Sequence, residues 1–179
     1  MARITTINDQ NIPEPVSVLF NEIEEVFGRV PNLFRTYAYH PPLLEANWQK
    51  VKQVMMEGAL SRKAKEAIAV LVSKDNGCKY CVAAHEGALS AIGVSPEEVH
   101  VIENDLDRAD FSQKEMALIK LARKANSAPL RGTDGEFSEL RQLEASDAEI
   151  VEALGVMELF TAFNKFLDIL QVEIDSKAV

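Results

Sequence analysis

The sequence predicts an all-α fold, a compact multi-helix bundle, on three observations. Ser95-Pro96-Glu97-Glu98, Ser112-Gln113-Lys114-Glu115 and Ser146-Asp147-Ala148-Glu149 each place a hydroxyl three residues before a glutamate. At that spacing hydroxyl and carboxylate each satisfy a backbone N–H that the first helical turn leaves unpaired. No run of alternating apolar and polar residues bounded by hairpin turns marks a strand. The last long segment repeats Ile150, Leu154, Met157, Phe160, Phe163, Leu167 and Leu170 at three- and four-residue steps, the period of one helical face.

In chain order, apolar periodicity marks helices over residues 14–28, 33–39 and 42–59. Residues 61–75 contain Ala67-Ile68-Ala69-Val70-Leu71-Val72, which is apolar on every side and predicts a central helix. Asn76-Gly77 breaks the chain before a helix over 77–92, with Gly93 as its cap. Ser95 and Pro96 start a helix over 95–102, since proline fits a first helical position. Ser112 starts 112–127. Residues 127–135, with Pro129, Gly132 and Gly135, form the clearest loop, followed by helices over 135–143 and 146–173. In the last of these, Val156, Leu159, Phe166 and Ile169 populate the remaining circumference. A helix apolar nearly all round is buried on several sides, either inside one chain or partly against a second copy. The expectation is a homo-oligomer that uses helix 146–173.

The 179 residues favour one domain over 1–179, with its chemical core at about 61–92. The formal net charge of −9 and the lack of a basic cluster argue against nucleic acid as a partner. Met1 to Pro15 lacks an apolar signal core, and no stretch reaches the ~18 apolar residues of a membrane span. A cytoplasmic protein without membrane partners is the expectation.

The chemistry centres on Asn76-Gly77-Cys78-Lys79-Tyr80-Cys81-Val82-Ala83-Ala84-His85, which holds the only two cysteines. On a helical wheel Cys81 lies about 60° from Cys78 and His85 about 20° from it. Two thiols and an imidazole then share a face. Cys78 falls in the first turn, where unpaired N–H groups favour a thiolate. A bridge between the cysteines closes too small a loop to stabilise much, which favours chemistry or metal binding over scaffolding. A dithiol that is oxidised and re-reduced is one reading. The others are a zinc site, for which His40 and His100 have no helpful spacing, two buried small hydrophobes, and a core histidine at His85. By periodicity alone Glu66 reads as a solvated carboxylate.

These residues resemble the alkylhydroperoxidase D-like, or carboxymuconolactone decarboxylase, superfamily. Its redox branch carries a glutamate, eleven residues, then Cys-x-x-Cys-x-x-x-His, as do Glu66, Cys78, Cys81 and His85. Val30-Pro31-Asn32-Leu33-Phe34-Arg35, Pro41-Pro42-Leu43-Leu44 and Phe160-Thr161-Ala162-Phe163-Asn164-Lys165-Phe166 resemble its peroxidase-related subgroup, so the similarity runs over about 14–173. The resemblance implies an antioxidant thiol peroxidase or dithiol–disulfide oxidoreductase without a cofactor or metal. Cys81 attacks a peroxide oxygen, Cys78 condenses with the sulfenic acid, and an external dithiol reduces the disulfide. Glu66 and His85 relay protons. It also implies assembly as a dimer, trimer or hexamer. Where the best-known peroxidases have a histidine, this chain has Tyr80, a candidate relay that donates a hydrogen bond but is a poor base near neutral pH. The alternatives are a redox sensor or adaptor without catalysis and a structural zinc protein. Decarboxylases of the family lack this dithiol.

Overall fold

The computed structural model describes residues 2–7 and 12–175; the outer ends of the expected 1–179 domain lie outside the described residues. Among those described there are nine α-helices and no strand. They are α1 (Glu14–Phe27), α2 (Asn32–Tyr37), α3 (Pro41–Val51), α4 (Arg62–Asn76), α5 (Lys79–Ala91), α6 (Pro96–Asn104), α7 (Gln113–Ser127), α8 (Asp134–Gln142) and α9 (Asp147–Leu170). No helix among these residues is long and apolar enough to cross a membrane.

Helix α4 is the axis of the bundle. Ser61 caps it by accepting the Ala64 N–H at 3.1 Å. Every residue from Ala64 to Ser73 is buried, and α4 packs against α5, α6, α7 and α9. Each large apolar side chain fully buried there contributes about 1.5–3 kcal/mol. Helix α9 buries Ile150, Ala153, Val156, Leu159, Phe160, Phe163 and Leu167, mainly against α4 and α7. Val151 and Ile169 stay exposed on its outer side.

The capping boxes at Ser112–Glu115 and Ser146–Glu149 form as expected. At Ser95 only half of the box is present. The hydroxyl accepts the Glu98 N–H, but the Glu98 carboxylate turns to Lys63 and the Asp110 N–H, both at 2.9 Å. A further box, Thr133–Glu136, starts α8 and escaped the sequence reading. Gly93 lies one residue beyond the Ile92 cap of α5, in the left-handed region.

Two helices end earlier than expected. The helix expected over 42–59 stops at Val51 and finishes in a π-helical turn, Lys52–Met56. The Glu152 carboxylate on α9 then takes the Ala59 N–H at 2.8 Å and the Leu60 N–H at 3.3 Å, and pairs with buried Lys65 at 2.6 Å. Gly58, at φ 106°, passes this carboxylate where a side chain would collide with it. The final helix ends at Leu170 rather than 173. Gln171 adopts φ 53°, and the N–H groups of Gln171 and Val172 return to the carbonyls of Asp168 and Leu167.

Candidate functional site

The site is built on the α4–α5 turn. Gly77 takes φ 79°, and the N–H groups of Gly77 and Cys78 return to the carbonyls of Lys74 and Ser73 at 3.1 and 2.9 Å. This closure reverses the chain tightly. Cys78 is thus the N-cap of α5, one position ahead of the first turn in which the sequence placed it. Helix α5 runs back along α4, which sets His85 beside Glu66.

Glu66 is almost completely buried, not solvated as its periodicity suggested. Its Oε2 lies 2.5 Å from His85 Nδ1, and its Oε1 accepts from Arg62 Nε at 2.7 Å. Burial raises its pKa, but His85 and Arg62 together outweigh that and hold the carboxyl below its ordinary value. An ionised carboxylate only accepts, so Nδ1 of His85 carries the proton of this bond. Nε2 takes no part in this bond. Phe160 packs edge-to-face on the imidazole, with ring centres 4.2 Å apart. Carboxylate below and ring beside fix its orientation.

Cys78 and Cys81 are both buried free thiols. The Cys81 thiol, hydrogen-bonded to Cys78, is the main influence lowering the Cys78 pKa; burial and Asp168 oppose it, and the Cys81 backbone N–H assists. Cys81 is pushed up, first by its bond to Cys78 and then by burial, while Asn164 and Ser73 pull the other way. Negative charge in the pair is thus favoured at Cys78 over Cys81.

Cys81, His85 and Glu66 line one cavity of about 460 Å³. Its other walls are mostly apolar, among them Phe27, Phe34, Met55, Met56, Ala84 and Phe160, with Arg62 and Tyr80 adding polar groups. Cys78 is wholly buried beside Cys81 and does not line it. The segment after α9 supplies the last wall with Ile174 and Asp175. Tyr80 donates its phenol proton to Asp175 Oδ2 at 2.5 Å and accepts the Leu33 N–H at 3.1 Å. Asp175 Oδ1 accepts the Asn32 N–H at 2.8 Å. Burial, with Asp175 adding to it, raises the Tyr80 pKa. The hydroxyl expected as a relay is committed to the tail.

The structure thus brings together Glu66, Cys78, Cys81 and His85, the set singled out in the sequence. It adds Ser73, Asn164 and Asp168 near the thiols, Arg62 on the Glu66 carboxylate and Phe160 on the imidazole. Two signals for these were readable: Arg62 stands four residues before Glu66, and Asn164 interrupts an apolar face of α9. Asp168 and Ser73 carried none. Phe160, on the helix expected to contribute to an oligomer contact, is buried inside the subunit. Among the described residues no group of three or more His, Cys, Asp or Glu side chains is arranged to hold a metal ion.

Residues 41–124 match the Carboxymuconolactone decarboxylase family. An alkyl hydroperoxide reductase of Mycobacterium tuberculosis is 32% identical over 78 residues, which are 44% of this chain and 23% of the relative. The chain thus spans about a quarter of that relative's length. A solved peroxidase-related protein from Silicibacter superposes with a TM-score of 0.88 at 22% identity, over 98% of this chain and 93% of that one. A debrominase solved with 2,3,4-tribromopyrrole gives 0.82 at 20% identity, over 97% and 91%. An alkylhydroperoxidase core from Rhodospirillum rubrum is 32% identical, with a TM-score of 0.54 over 77% of this chain and 98% of that one.

Proposed function

Because this chain belongs to the alkylhydroperoxidase D-like, or carboxymuconolactone decarboxylase, superfamily, we propose that it is a thiol-dependent peroxidase acting through Cys78 and Cys81. The observation that carries this reading is that Cys81 and the Glu66–His85 pair open onto the same apolar cavity. Cys78, whose pKa its hydrogen bond to Cys81 lowers, takes the proton of Cys81 through that bond as substrate enters. The Cys81 thiolate then attacks the distal oxygen of a hydroperoxide and breaks the O–O bond. Cys81 becomes a sulfenic acid, and His85, protonated and held by Glu66, gives the leaving alkoxide its proton. Cys78 attacks the Cys81 sulfur and expels water. Two thiols and a hydroperoxide become a disulfide, an alcohol and water; an external dithiol restores the thiols by exchange. The protein acts in a reducing cytoplasm, as one domain with its redox core at about 61–92, and as a homo-oligomer.

Stopped-flow mixing of reduced protein with hydrogen peroxide, tert-butyl hydroperoxide and cumene hydroperoxide, following thiol loss, tests the reading. It expects oxidation well above that of a free thiol at the same pH. Rates equal to a free thiol for all three overturn it.

Reductive dehalogenation is a second reading, favoured by one observation. The cavity at Cys81 is walled by Phe27, Phe34 and Phe160, a setting for a small halogenated aromatic such as the ligand of the similarly folded debrominase. Two thiols plus a carbon–bromine bond give a disulfide, a carbon–hydrogen bond and hydrogen bromide. Bromide release from a brominated pyrrole with stoichiometric disulfide, and without peroxide, supports it.

A further inference from the structure

Tyr80 stands one residue before Cys81, yet no step of the mechanism above uses its hydroxyl. The side chain is 7% exposed, so the phenol finds its partners within the protein. It donates to Asp175 Oδ2 at 2.5 Å and accepts the Leu33 N–H at 3.1 Å. Asp175 Oδ1 accepts the Asn32 N–H at 2.8 Å. Those two N–H groups open α2, whose cap is Pro31, a residue with no side-chain acceptor to offer them. Asp175 and Tyr80 supply both acceptors, and in doing so they join α2, α5 and the tail at one point.

The tail reaches this point as a strap. Gln171 turns the chain out of α9, and the Val172 N–H returns to the Leu167 carbonyl at 3.1 Å while the Val172 side chain is buried. Asn32 Nδ2 then donates to the Glu173 carbonyl at 3.0 Å. Ile174 follows and is 52% exposed. An apolar side chain this open gains little from burial, so the attachments on either side of it hold it at the cavity. Exposure also shows where on the cavity the strap lies. Glu66, Cys81 and Phe163 line it and are 3% exposed or less, which places them at its floor. Phe27 and Ile174, at 38% and 52%, line it as well and mark its rim. The strap is part of the mouth. Its hold is polar and local, and hydrogen bonds of partly exposed groups exchange for bonds to water at modest cost. Such a segment opens without unfolding the bundle beneath it.

We propose that Ile174 and Asp175 are specificity-determining residues of this site: the 172–175 strap, latched through Asp175 to Tyr80 and Asn32, narrows the mouth so that slender molecules reach Cys81 and broad, rigid ones do not. The inference rests on the reading of this cavity as the substrate site, because it names the element that selects what enters. The interior, at about 460 Å³, holds a compact organic hydroperoxide. A slender molecule enters whether the latch is closed or open. A broad one reaches Cys81 only in the fraction of molecules whose latch is open, and its rate is reduced by that fraction. The phenol beside the reactive cysteine thus serves selectivity rather than proton transfer.

The test compares two neutral reagents with the same reactive group on the reduced protein, N-ethylmaleimide as the slender probe and N-(1-pyrenyl)maleimide as the broad one. Peptide mapping assigns the label to Cys81. Asp175→Ala removes both latch bonds, so the latched–open equilibrium moves by the strength of two hydrogen bonds and the pyrenyl-to-ethyl rate ratio rises about 10–100-fold. Ile174→Ala keeps the latch, cuts back the rim and raises the ratio as well. An unchanged ratio in either folded variant overturns the proposal. Equal acceleration of both reagents also overturns it, since that is general loosening and not selection at the mouth. If Asp175→Ala fails to fold, Ile174→Ala decides alone, because it leaves every hydrogen bond of the strap in place. Hydroperoxides should follow the same order, with oxidation by cumene hydroperoxide rising relative to hydrogen peroxide in both variants. A wild type inert to every peroxide removes the peroxidase reading alone, because the maleimide ratio reads access to Cys81 without peroxide.

Discussion

His85 Nδ1 and Glu66 Oε2 meet at 2.5 Å across the α4–α5 turn, joining a buried carboxylate to the imidazole that shares a cavity with Cys81. Glu66→Gln should slow peroxide oxidation by about 10²-fold through loss of an oriented proton donor. Its effect on stability depends on pH. The folded carboxyl is held below its ordinary value, so it contributes stability above the unfolded carboxylate range and loses it as pH falls through the folded value. Thermal midpoints from pH 7 down to 3 should converge for wild type and Glu66→Gln at the acid end. Parallel curves would show that ionisation of Glu66 contributes nothing to folding.

The second prediction concerns the thiols themselves. Mild oxidation should remove two hydrogens per chain, seen by mass spectrometry, and yield one Cys78–Cys81 disulfide. Cys78→Ser should instead trap a sulfenic acid at Cys81, detectable with a dimedone probe, since Cys81 lines the cavity and Cys78 does not. Labelling of Cys78 in a Cys81→Ser protein at an equal rate would reverse the two roles.

Tyr80 gives the third. Its hydroxyl ties Asp175 and the Leu33 N–H to α5. Tyr80→Phe should therefore cost about 1–2 kcal/mol and speed hydrogen exchange at residues 172–175. The pH profile of thiol oxidation should stay as in the wild type. A profile moved by Tyr80→Phe would restore the phenol to the proton relay.

The fourth concerns assembly. Val151 and Ile169 are the large apolar side chains that α9 leaves most exposed, at 68% and 62%. Light scattering should give a mass above the 19.8 kDa chain, and the Val151→Lys/Ile169→Lys double variant should lower it without unfolding the protein. Phe160→Glu should destabilise the subunit itself, because its ring packs on His85 inside the chain. A single-chain mass for the wild type across a dilution series would end the oligomer proposal.

The helices were legible because their signals are local. Caps such as Ser112–Glu115 and the break at Gly77 act within a few residues. Thr133–Glu136 carried the same signal and was overlooked among the glycines of the 127–135 loop. The ends of α3 and α9 were not legible. Glu152, more than ninety residues away, captures the N–H groups of Ala59 and Leu60, and Gln171 enters a left-handed conformation that its residue type does not announce. The site divides in the same way. Cys78, Cys81 and His85 share a helix and could be placed by spacing. Glu66 looked solvated because its partner lies on the next helix, nineteen residues on, and only the family pattern drew attention to it. Asn164 and Asp168 belong to the site solely because α9 docks on α4 and α5.

The tail wall has a consequence for the chain as it is being made. Glu66, Cys78, Cys81 and His85 lie within nineteen positions of one another and are all made once α4 and α5 have been synthesised. The bond from Asn164 to Ser73 and the bond from Tyr80 to Asp175 reach across 91 and 95 residues, so neither exists until synthesis has passed α9. Contacts of such separation also come late in folding, after the loops that bridge them have closed. A nascent chain therefore passes through a stage in which residues 66–85 are made but the cavity at Cys81 still lacks the walls that Phe160, Phe163, Ile174 and Asp175 supply.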